Sequence, residues 1–263
     1  MLTVFQWGIL GILSGLLSSI TVLELPKMLQ RKWHAEILEY LKQNYTESRI
    51  VEFDINTEKC ETKVALPAPS ESFTLKSKIK EMLAEPKFIT HTLLLIGIVT
   101  SVAFASLLRL GSSFAGLMVF AFIATLITLS AIDVKSRLLP DVMTLPLIWI
   151  GLLVNLHGTF SSLEDAVIGA ISGYVILWIL FQAFLALRGI EGMGFGDFKL
   201  MAAIGAWLGW QALPYVALIA AISGFGVTVI LCLIGRARIG DPFAFGPYLA
   251  VGGSIAFYMQ TYH

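Results

Sequence analysis

The stretch SFAGLMVFAFIATLITLSAID, residues 113–133, holds twenty consecutive residues without a charge and then ends on an aspartate. A helix of about 20 apolar residues is long enough to cross roughly 30 Å of hydrocarbon. The stretch therefore predicts a membrane-spanning helix with a carboxylate, Asp133, at its end. An ionisable group is costly in such a helix, which makes Asp133 a candidate functional residue.

The composition of the whole chain extends this prediction beyond one helix. The chain has 263 residues, of which 57% are apolar and 14% are charged, and its mean hydropathy is +0.81. A soluble domain of this length could bury a core with far fewer apolar residues. The chain is therefore predicted to cross a lipid bilayer several times. No basic patch with interleaved aromatic residues is visible, so we expect no nucleic-acid partner.

Eight apolar stretches are candidate spans: 4–24, 91–109, 113–132, 143–157, 165–187, 198–209, 212–235 and 243–260. The fourth and sixth are short, as are helices that end inside a protein instead of at the lipid surface. The predicted fold class is an all-α polytopic membrane protein with about eight transmembrane helices. One small cytoplasmic region, α/β or irregular, separates helices 1 and 2. The predicted segments are a first transmembrane helix (1–25), the cytoplasmic region (26–90) and a membrane-embedded core (91–263).

The distribution of lysine and arginine predicts the sidedness of these spans. Alternate connections hold 17 of the 18 basic residues, and 11 of them lie in residues 25–90. The other set of connections holds Arg109 alone. Because basic residues are enriched on the cytoplasmic side, residues 25–90 are predicted to be cytoplasmic and both chain termini external.

The cytoplasmic region is predicted to begin with a second helix at Pro26, because proline suits a first helical turn. Its apolar residues recur every four positions and would form one face of that helix. They are Leu29, Trp33, Ile37 and Leu41. Two interpretations of this face remain open: packing against the domain or the membrane surface, and docking of a substrate.

Two carboxylates at the predicted cytoplasmic edge, Asp133 and Asp197, are candidates for catalysis. They lie 64 residues apart, at the end of the third predicted span and the start of the sixth, and two helices can bring their ends together there. A pair of carboxyls sharing one proton can perform aspartyl proteolysis, one as an ionised base for water and the other as an acid for the carbonyl oxygen. The alternative is structural: each carboxylate caps a helix or pairs with Lys135, Arg137 or Lys199.

The other carboxylates at the span margins have mainly structural interpretations. Asp141 is the rival to Asp133, but an aspartate at a helix start usually caps backbone N–H groups. Glu164 and Asp165 lie near an external helix start, where negative charge suits the helix dipole. Asp241 directly precedes a proline and is interpreted as a turn or cap residue.

The stretch EGMGFGDFKL, residues 191–200, places three glycines before Asp197. Glycine adopts backbone conformations closed to other residues, and it lets another chain approach the backbone closely. An extended peptide can pair with an exposed backbone edge, so Gly194 and Gly196 are predicted to line the path of a peptide substrate. The alternative is a plain flexible loop between the fifth and sixth spans.

Three stretches resemble the type IV prepilin peptidases, which are G-x-G-D membrane aspartyl proteases. They are AIDVKSRLLPDVMTLPL (131–147), EGMGFGDFKLMAAIGAWLGWQALP (191–214) and FAFGPYLAVGG (243–253). The resemblance implies that the two catalytic aspartates of the family fall on Asp133 and Asp197. The other motif residues that it singles out are Asp141, Gly194, Gly196 and Lys199.

The same resemblance implies an activity and a location. The substrate would be the precursor of a type IV pilin or of a type II secretion pseudopilin. Its short basic leader would be removed at the cytoplasmic face of the bacterial inner membrane. Many family members also methylate the new N-terminal residue with S-adenosylmethionine, which makes this cofactor an expectation for a second activity. No motif in this sequence carries that activity.

The sequence departs from the family in its cysteines. Many members carry two C-x-x-C pairs in the cytoplasmic region, a spacing suited to zinc, whereas residues 25–90 contain Cys60 alone. Coordination by four thiolates of this region is therefore excluded, and we expect no metal in the protein.

Two alternatives to a prepilin peptidase remain open. One is a G-x-G-D protease of other membrane peptides, similar to signal peptide peptidase or presenilin, although the stretches around Asp133 and Asp197 favour the prepilin type. The other is a transporter whose aspartate pair binds protons or other cations. Transporters usually place such sites near the midplane, whereas these aspartates are predicted at one membrane edge.

Reporter fusions test the predicted sidedness. A reporter at Lys59 is expected to lie in the cytoplasm and one at the C-terminus on the opposite side, because the basic residues sort to one set of connections. Finding both reporters on the same side would overturn the eight-span topology.

Elemental analysis tests the prediction about metal. The purified protein is expected to contain no stoichiometric zinc, because a single cysteine cannot replace a set of four thiolates. Cys60→Ser is accordingly expected to cleave substrate at the wild-type rate. One zinc per chain, or loss of cleavage in this variant, would contradict the prediction.

Overall fold

The computed structural model describes residues 4–48, 113–188, 194–235 and 244–260, together with 94, 97–102, 104, 105, 108 and 110. Seven α-helices have bounds within this part of the chain. They are α1 (Val4–Ser48), α2 (Phe114–Ser136), α3 (Asp141–Val154), α4 (Leu163–Arg188), α5 (Phe195–Leu208), α6 (Leu213–Leu233) and α7 (Gly246–Gln260). Two short 3-10 helices, Asn155–His157 and Trp210–Ala212, precede α4 and α6. The described residues form no strand, which confirms the all-helical prediction for this part of the chain.

Four stretches of helix are long and apolar enough to cross a membrane. They are Gln6–Trp33, Phe114–Ser136, Leu163–Leu187 and Trp210–Leu233. The fold is therefore that of a helical membrane protein, as the composition indicates. Asp141–His157 is a shorter apolar stretch, and α5 and α7 have 14 and 15 residues. Ten of the 19 residues of the predicted span at 91–109 are described, and all ten are helical.

The chain divides into two compact units. One consists of Met1–Pro26 and Leu95–His263, and the other of Lys27–Leu94. Within the second unit the described residues are helical from Lys27 to Ser48, with an exposed ion pair between Lys32 Nζ and Glu36 Oε1 at 3.8 Å. Trp33, on the predicted apolar face, is exposed. The rest of the predicted cytoplasmic region, residues 49–93, lies outside the described residues.

The prediction of a new helix at Pro26 is wrong, because α1 continues through this residue without interruption. Proline removes one backbone hydrogen bond from a helix interior. Ending the helix there would leave up to four backbone carbonyl groups and up to four N–H groups without intrahelical partners. A continuous helix with one missing hydrogen bond is therefore the less costly arrangement.

Helix α5 lies at the centre of the first unit. Every residue from Phe198 to Leu208 is buried except Lys199, which is half-buried. The helix packs against α3, α4, α6 and α7. A helix that is apolar all round and enclosed by other helices need not match the bilayer thickness. This explains why the sixth predicted span is short.

Helices α4 and α5 approach each other backbone to backbone through glycines. A Cβ atom on Gly169 would overlap the carbonyl of Gly205, and one on Gly205 would overlap the carbonyl of Gly169. One turn further along α4, a Cβ on Gly173 would lie 2.7 Å from the carbonyl oxygen of Met201. Small residues at these positions permit close packing of membrane helices, where van der Waals contact replaces the hydrophobic effect between helices.

A buried asparagine joins the far ends of α3 and α5. Asn155 Nδ2 donates to the carbonyl oxygens of Ala206 and Trp207 at 3.0 and 2.9 Å. Its Oδ1 accepts from the backbone N–H groups of Phe160 and Ser161 at 3.0 and 3.2 Å. The side chain is fully buried, and these bonds satisfy groups that a helix end would otherwise leave open.

Alanine at Gly205 is expected to destabilise the protein. The added methyl group meets the backbone of α4, which no side-chain rotation can relieve, and overpacking of this kind costs about 1–3 kcal/mol. The melting temperature of the purified protein in detergent is expected to fall. Gly226→Ala is the matched control, because a Cβ there meets nothing within 4 Å. Equal melting temperatures for the two variants would contradict the proposed close contact.

Candidate active site

Asp133 lies in the last turn of α2 and its side chain is buried, with 5% exposure. Its Oδ2 accepts a hydrogen bond of 2.9 Å from the backbone N–H of Gly246, the first residue of α7. A Cβ on Gly246 would lie only 2.8 Å from the same oxygen. Glycine at this position therefore lets the start of α7 approach the carboxyl closely.

Helix α2 ends at Ser136, three residues after Asp133, and the next residue has an unusual backbone conformation. Arg137 caps the helix with φ 53°, in the left-handed region, and its N–H donates to the backbone oxygen of Asp133 at 2.7 Å. Within the described part of the chain it is the only residue other than glycine with positive φ. Its guanidinium acts electrostatically on the Asp133 carboxyl.

Asp197 lies in the first turn of α5, three residues after the N-cap residue Gly194. Its side chain is 7% exposed, and its Oδ1 is buried without a hydrogen-bond partner. The negative charge of Asp133 acts directly on the Asp197 carboxyl. The structure thus brings together the two carboxyls that the sequence places 64 residues apart. Two like charges in close proximity are unfavourable, so one shared proton is the stable arrangement.

The G-x-G-D glycines have distinct surroundings. A Cβ on Gly196 would lie 2.7 Å from the Cβ of Leu139, which belongs to the segment between α2 and α3. A Cβ on Gly194 would meet only Asp197 Oδ2, at 3.9 Å. Gly196 therefore allows α5 to pack against the segment that follows Asp133, a reason that the sequence did not reveal. The substrate path along these glycines stays a prediction, and Gly192 lies outside the described residues.

Lys199 and Asp141 form an ion pair, with 2.6 Å between Nζ and Oδ1. The prediction that Asp141 caps α3 is wrong: Pro140 is the N-cap residue and no side chain caps this helix start. Asp141 is the first helical residue, and its carboxylate extends to Lys199 instead of folding back onto the backbone. Of the three cations considered as partners for the aspartate pair, Lys199 is thus engaged elsewhere and Arg137 acts on Asp133.

Asp165, in the first turn of α4, lies near the C-terminal end of α5, and its hydrogen bonds are to residues of the helix ends there. Its carboxyl accepts hydrogen bonds from Ser162 Oγ at 2.7 Å and Trp210 Nε1 at 2.9 Å. Its backbone N–H donates to Ser162 Oγ at 3.1 Å, which completes a reciprocal cap at the start of α4. A cavity of about 680 Å³ lies beside it and contains neither Asp133 nor Asp197. Because the cavity is remote from the aspartate pair, we assign it no part in the chemistry.

No group of three or more His, Cys, Asp or Glu side chains is placed to hold a metal ion within the described residues. Cys60 and Asp241 lie outside them, so the expectations about zinc and about a turn at Asp241 stay predictions.

Sequence reasoning missed two residues that contact the pair. Gly246 lies within the stretch FAFGPYLAVGG, which carried part of the family resemblance. The sequence of this stretch does not indicate which of its residues faces Asp133. Arg137 was interpreted through its charge alone. The left-handed conformation of Arg137 has no signal in the sequence, since glycine is the usual residue there.

Two adjacent buried carboxyls at the ends of apolar helices define a candidate aspartyl site in a membrane protein. The chain belongs to the type IV leader peptidase family. A model of that family matches residues 120–229, and this range contains both aspartates. The resemblance seen in the sequence is thereby confirmed.

Relatives of the chain carry the name prepilin leader peptidase/N-methyltransferase. The protein of Pectobacterium carotovorum is 38% identical over 97% of this chain and 93% of its own length. That of Pseudomonas aeruginosa is 36% identical over 94% and 87%. That of Burkholderia pseudomallei is 52% identical over 61% of this chain, and the alignment spans about half of that relative, 52%. No solved structure matches the chain.

Proposed function

We propose that the protein is a membrane aspartyl endopeptidase that removes the short basic leader of type IV prepilins or type II secretion pseudopilins. Asp133 and Asp197 are its catalytic pair. The observation that carries this proposal is the burial of two carboxyls from distant parts of the chain within electrostatic range of each other. Family membership supports the same assignment.

The pair can hydrolyse a peptide bond without a covalent intermediate. One ionised carboxyl takes a proton from water, and the resulting hydroxide adds to the scissile carbonyl carbon. The other carboxyl donates its proton to the carbonyl oxygen. When the tetrahedral intermediate collapses, the leaving amine receives the proton that the first carboxyl took, and the second carboxyl regains its own from the hydroxyl group.

The membrane arrangement belongs to the same proposal. We place about eight spans in the bacterial inner membrane, with residues 26–90 and the aspartate pair on the cytoplasmic side. The basic residues that sort to one set of connections support this sidedness. The four long apolar helices support the membrane location. Family membership does not favour the transporter or a protease of other membrane peptides.

N-methylation of the new N-terminus, with S-adenosylmethionine as donor, is a second proposed activity. It rests on the name that the relatives carry. We assign no residue of this chain to the methyl donor.

Amide substitutions test the catalytic pair. Asp133→Asn and Asp197→Asn are each expected to lower kcat by at least about 10²-fold, because asparagine keeps the shape of the side chain but cannot transfer the proton. The measurement is the loss of leader mass when the purified protein is incubated with a prepilin. Unchanged melting temperatures would show that both variants are folded.

Two other carboxyls provide the controls. Glu164→Gln removes an exposed carboxyl at the start of α4 and is expected to cleave at the wild-type rate. Asp141→Asn is expected to have a small effect, because its partly exposed ion pair with Lys199 contributes about 0–1 kcal/mol. An inactive Asp141→Asn beside a normally active Asp133→Asn would show that the first catalytic aspartate is wrongly assigned.

A further inference from the structure

The surroundings of the two aspartates differ in a way that the two-aspartate pattern does not predict. Asp133 accepts a hydrogen bond from Gly246 N–H at the positive end of α7. Unpaired N–H groups and the macrodipole at a helix start both stabilise negative charge. Asp197 also lies at a helix start and has a backbone hydrogen bond from Gly194, but its Oδ1 is buried without a partner. A buried carboxylate oxygen without a donor is costly, and a protonated carboxyl in that place costs much less.

Charged neighbours follow the same division. The Arg137 guanidinium acts on Asp133. Lys199 lies two residues after Asp197 in the sequence, but its ammonium is held by Asp141 at 2.6 Å. The charged group that acts on Asp197 is Asp133, which is negative. Burial opposes ionisation of both carboxyls, but the charged neighbour of Asp133 is positive and favours its ionised form, whereas the charged neighbour of Asp197 is negative and opposes ionisation further.

The backbone at Arg137 supplies an independent argument. A helix that ends in the left-handed conformation normally carries glycine there, since other residues are strained. Arginine at φ 53° therefore indicates that its side chain contributes something that outweighs the strain. The guanidinium of Arg137 lies within electrostatic range of Asp133.

We propose that Arg137 and Gly246 are positioning residues that divide the roles of the pair, holding Asp133 as the ionised base and leaving Asp197 as the protonated acid. This inference rests on the proposed peptidase function. Water is then deprotonated by Asp133, and the proton on Asp197 goes to the carbonyl oxygen. On collapse of the intermediate the Asp133 proton goes to the leaving nitrogen, and Asp197 recovers a proton from the hydroxyl group, which restores the starting state.

Substitutions at Arg137 separate this role from a purely structural one. Arg137→Gly relieves the left-handed strain, so the melting temperature is expected to stay or rise, while kcat falls roughly fivefold, as suits an exposed cation, with KM unchanged. Arg137→Lys keeps the charge and is expected to restore most of kcat. Lys135→Gln, which removes another cation from the end of α2, is the control. A change confined to KM, or a full kcat in Arg137→Gly, would overturn the proposal.

Gly246 is tested in the same assay. In Gly246→Ala the new methyl group would lie 2.8 Å from Asp133 Oδ2 and displace the N–H donor. Misplacement of a reacting group by about 1 Å costs about 10²-fold, which is the expected loss of kcat. Gly226→Ala is the matched control at an open helical position. Equal values of kcat for the two variants would exclude a positioning role.

Infrared difference spectroscopy of the protein without substrate reads the proton directly. A protonated carboxyl has a C=O band that a carboxylate lacks. Asp197→Asn is expected to remove this band at neutral pH. Asp133→Asn is expected to retain it although the neighbouring charge is lost, because Asp197 Oδ1 stays buried without a donor. A band removed by Asp133→Asn but retained in Asp197→Asn would reverse the assignment. This readout needs no cleavage, so failure of the division of roles can be told from failure of the peptidase function.

Discussion

The backbone contact between α4 and α5 is the constraint on which the rest of the core depends. Gly169 and Gly205 bring the two helices so close that a single Cβ atom on either would overlap the other helix. A 14-residue helix rises only about 21 Å, so α5 cannot be held by matching the bilayer. Its position comes from its neighbours: α4 along one side, and Asn155 at its C-terminal end. The position of α5 in turn fixes the position of Asp197, which lies in its first turn.

The candidate site forms where three sequence stretches meet, and glycines allow these stretches to approach one another closely. Gly196 accommodates Leu139 from the segment after Asp133, and Gly246 accommodates the Asp133 carboxyl itself. A larger side chain at Gly196 would push α5 away from the segment that follows α2, and one at Gly246 would push α7 away from α2. The spacing of glycines in two motifs thus has a packing explanation that does not require a substrate. It adds to the proposed substrate path without testing it.

Much of this arrangement could be predicted from residue types and their order. Long uncharged runs indicate α2, α4 and α6, because bilayer thickness sets a minimum helix length. The proximity of Asp133 and Asp197 followed from sidedness and resemblance together. The prediction of a helix start at Pro26 was wrong, because the local preference of proline is overridden where backbone groups need partners. The prediction that Asp141 caps a helix was wrong because its carboxylate pairs with a lysine that is distant in the sequence, and not with the nearby backbone. Such long-range pairings, like the left-handed Arg137, depend on packing that no local pattern encodes.

Hydrolysis makes two demands on the carboxyl pair that conflict, and the helix ends satisfy both. Close carboxyls share a proton best when water is excluded, but water is also the nucleophile. Both aspartates are buried next to the protein surface: Val134 is exposed beside Asp133, and Phe195 is exposed two residues before Asp197. A pair of carboxyls in the middle of two helices would be equally buried, but it would lie far from water and from an extended peptide substrate. If the proposed pair is catalytic, the start of α5 at Phe195 has a functional as well as a structural reason, because it places Asp197 at a helix end.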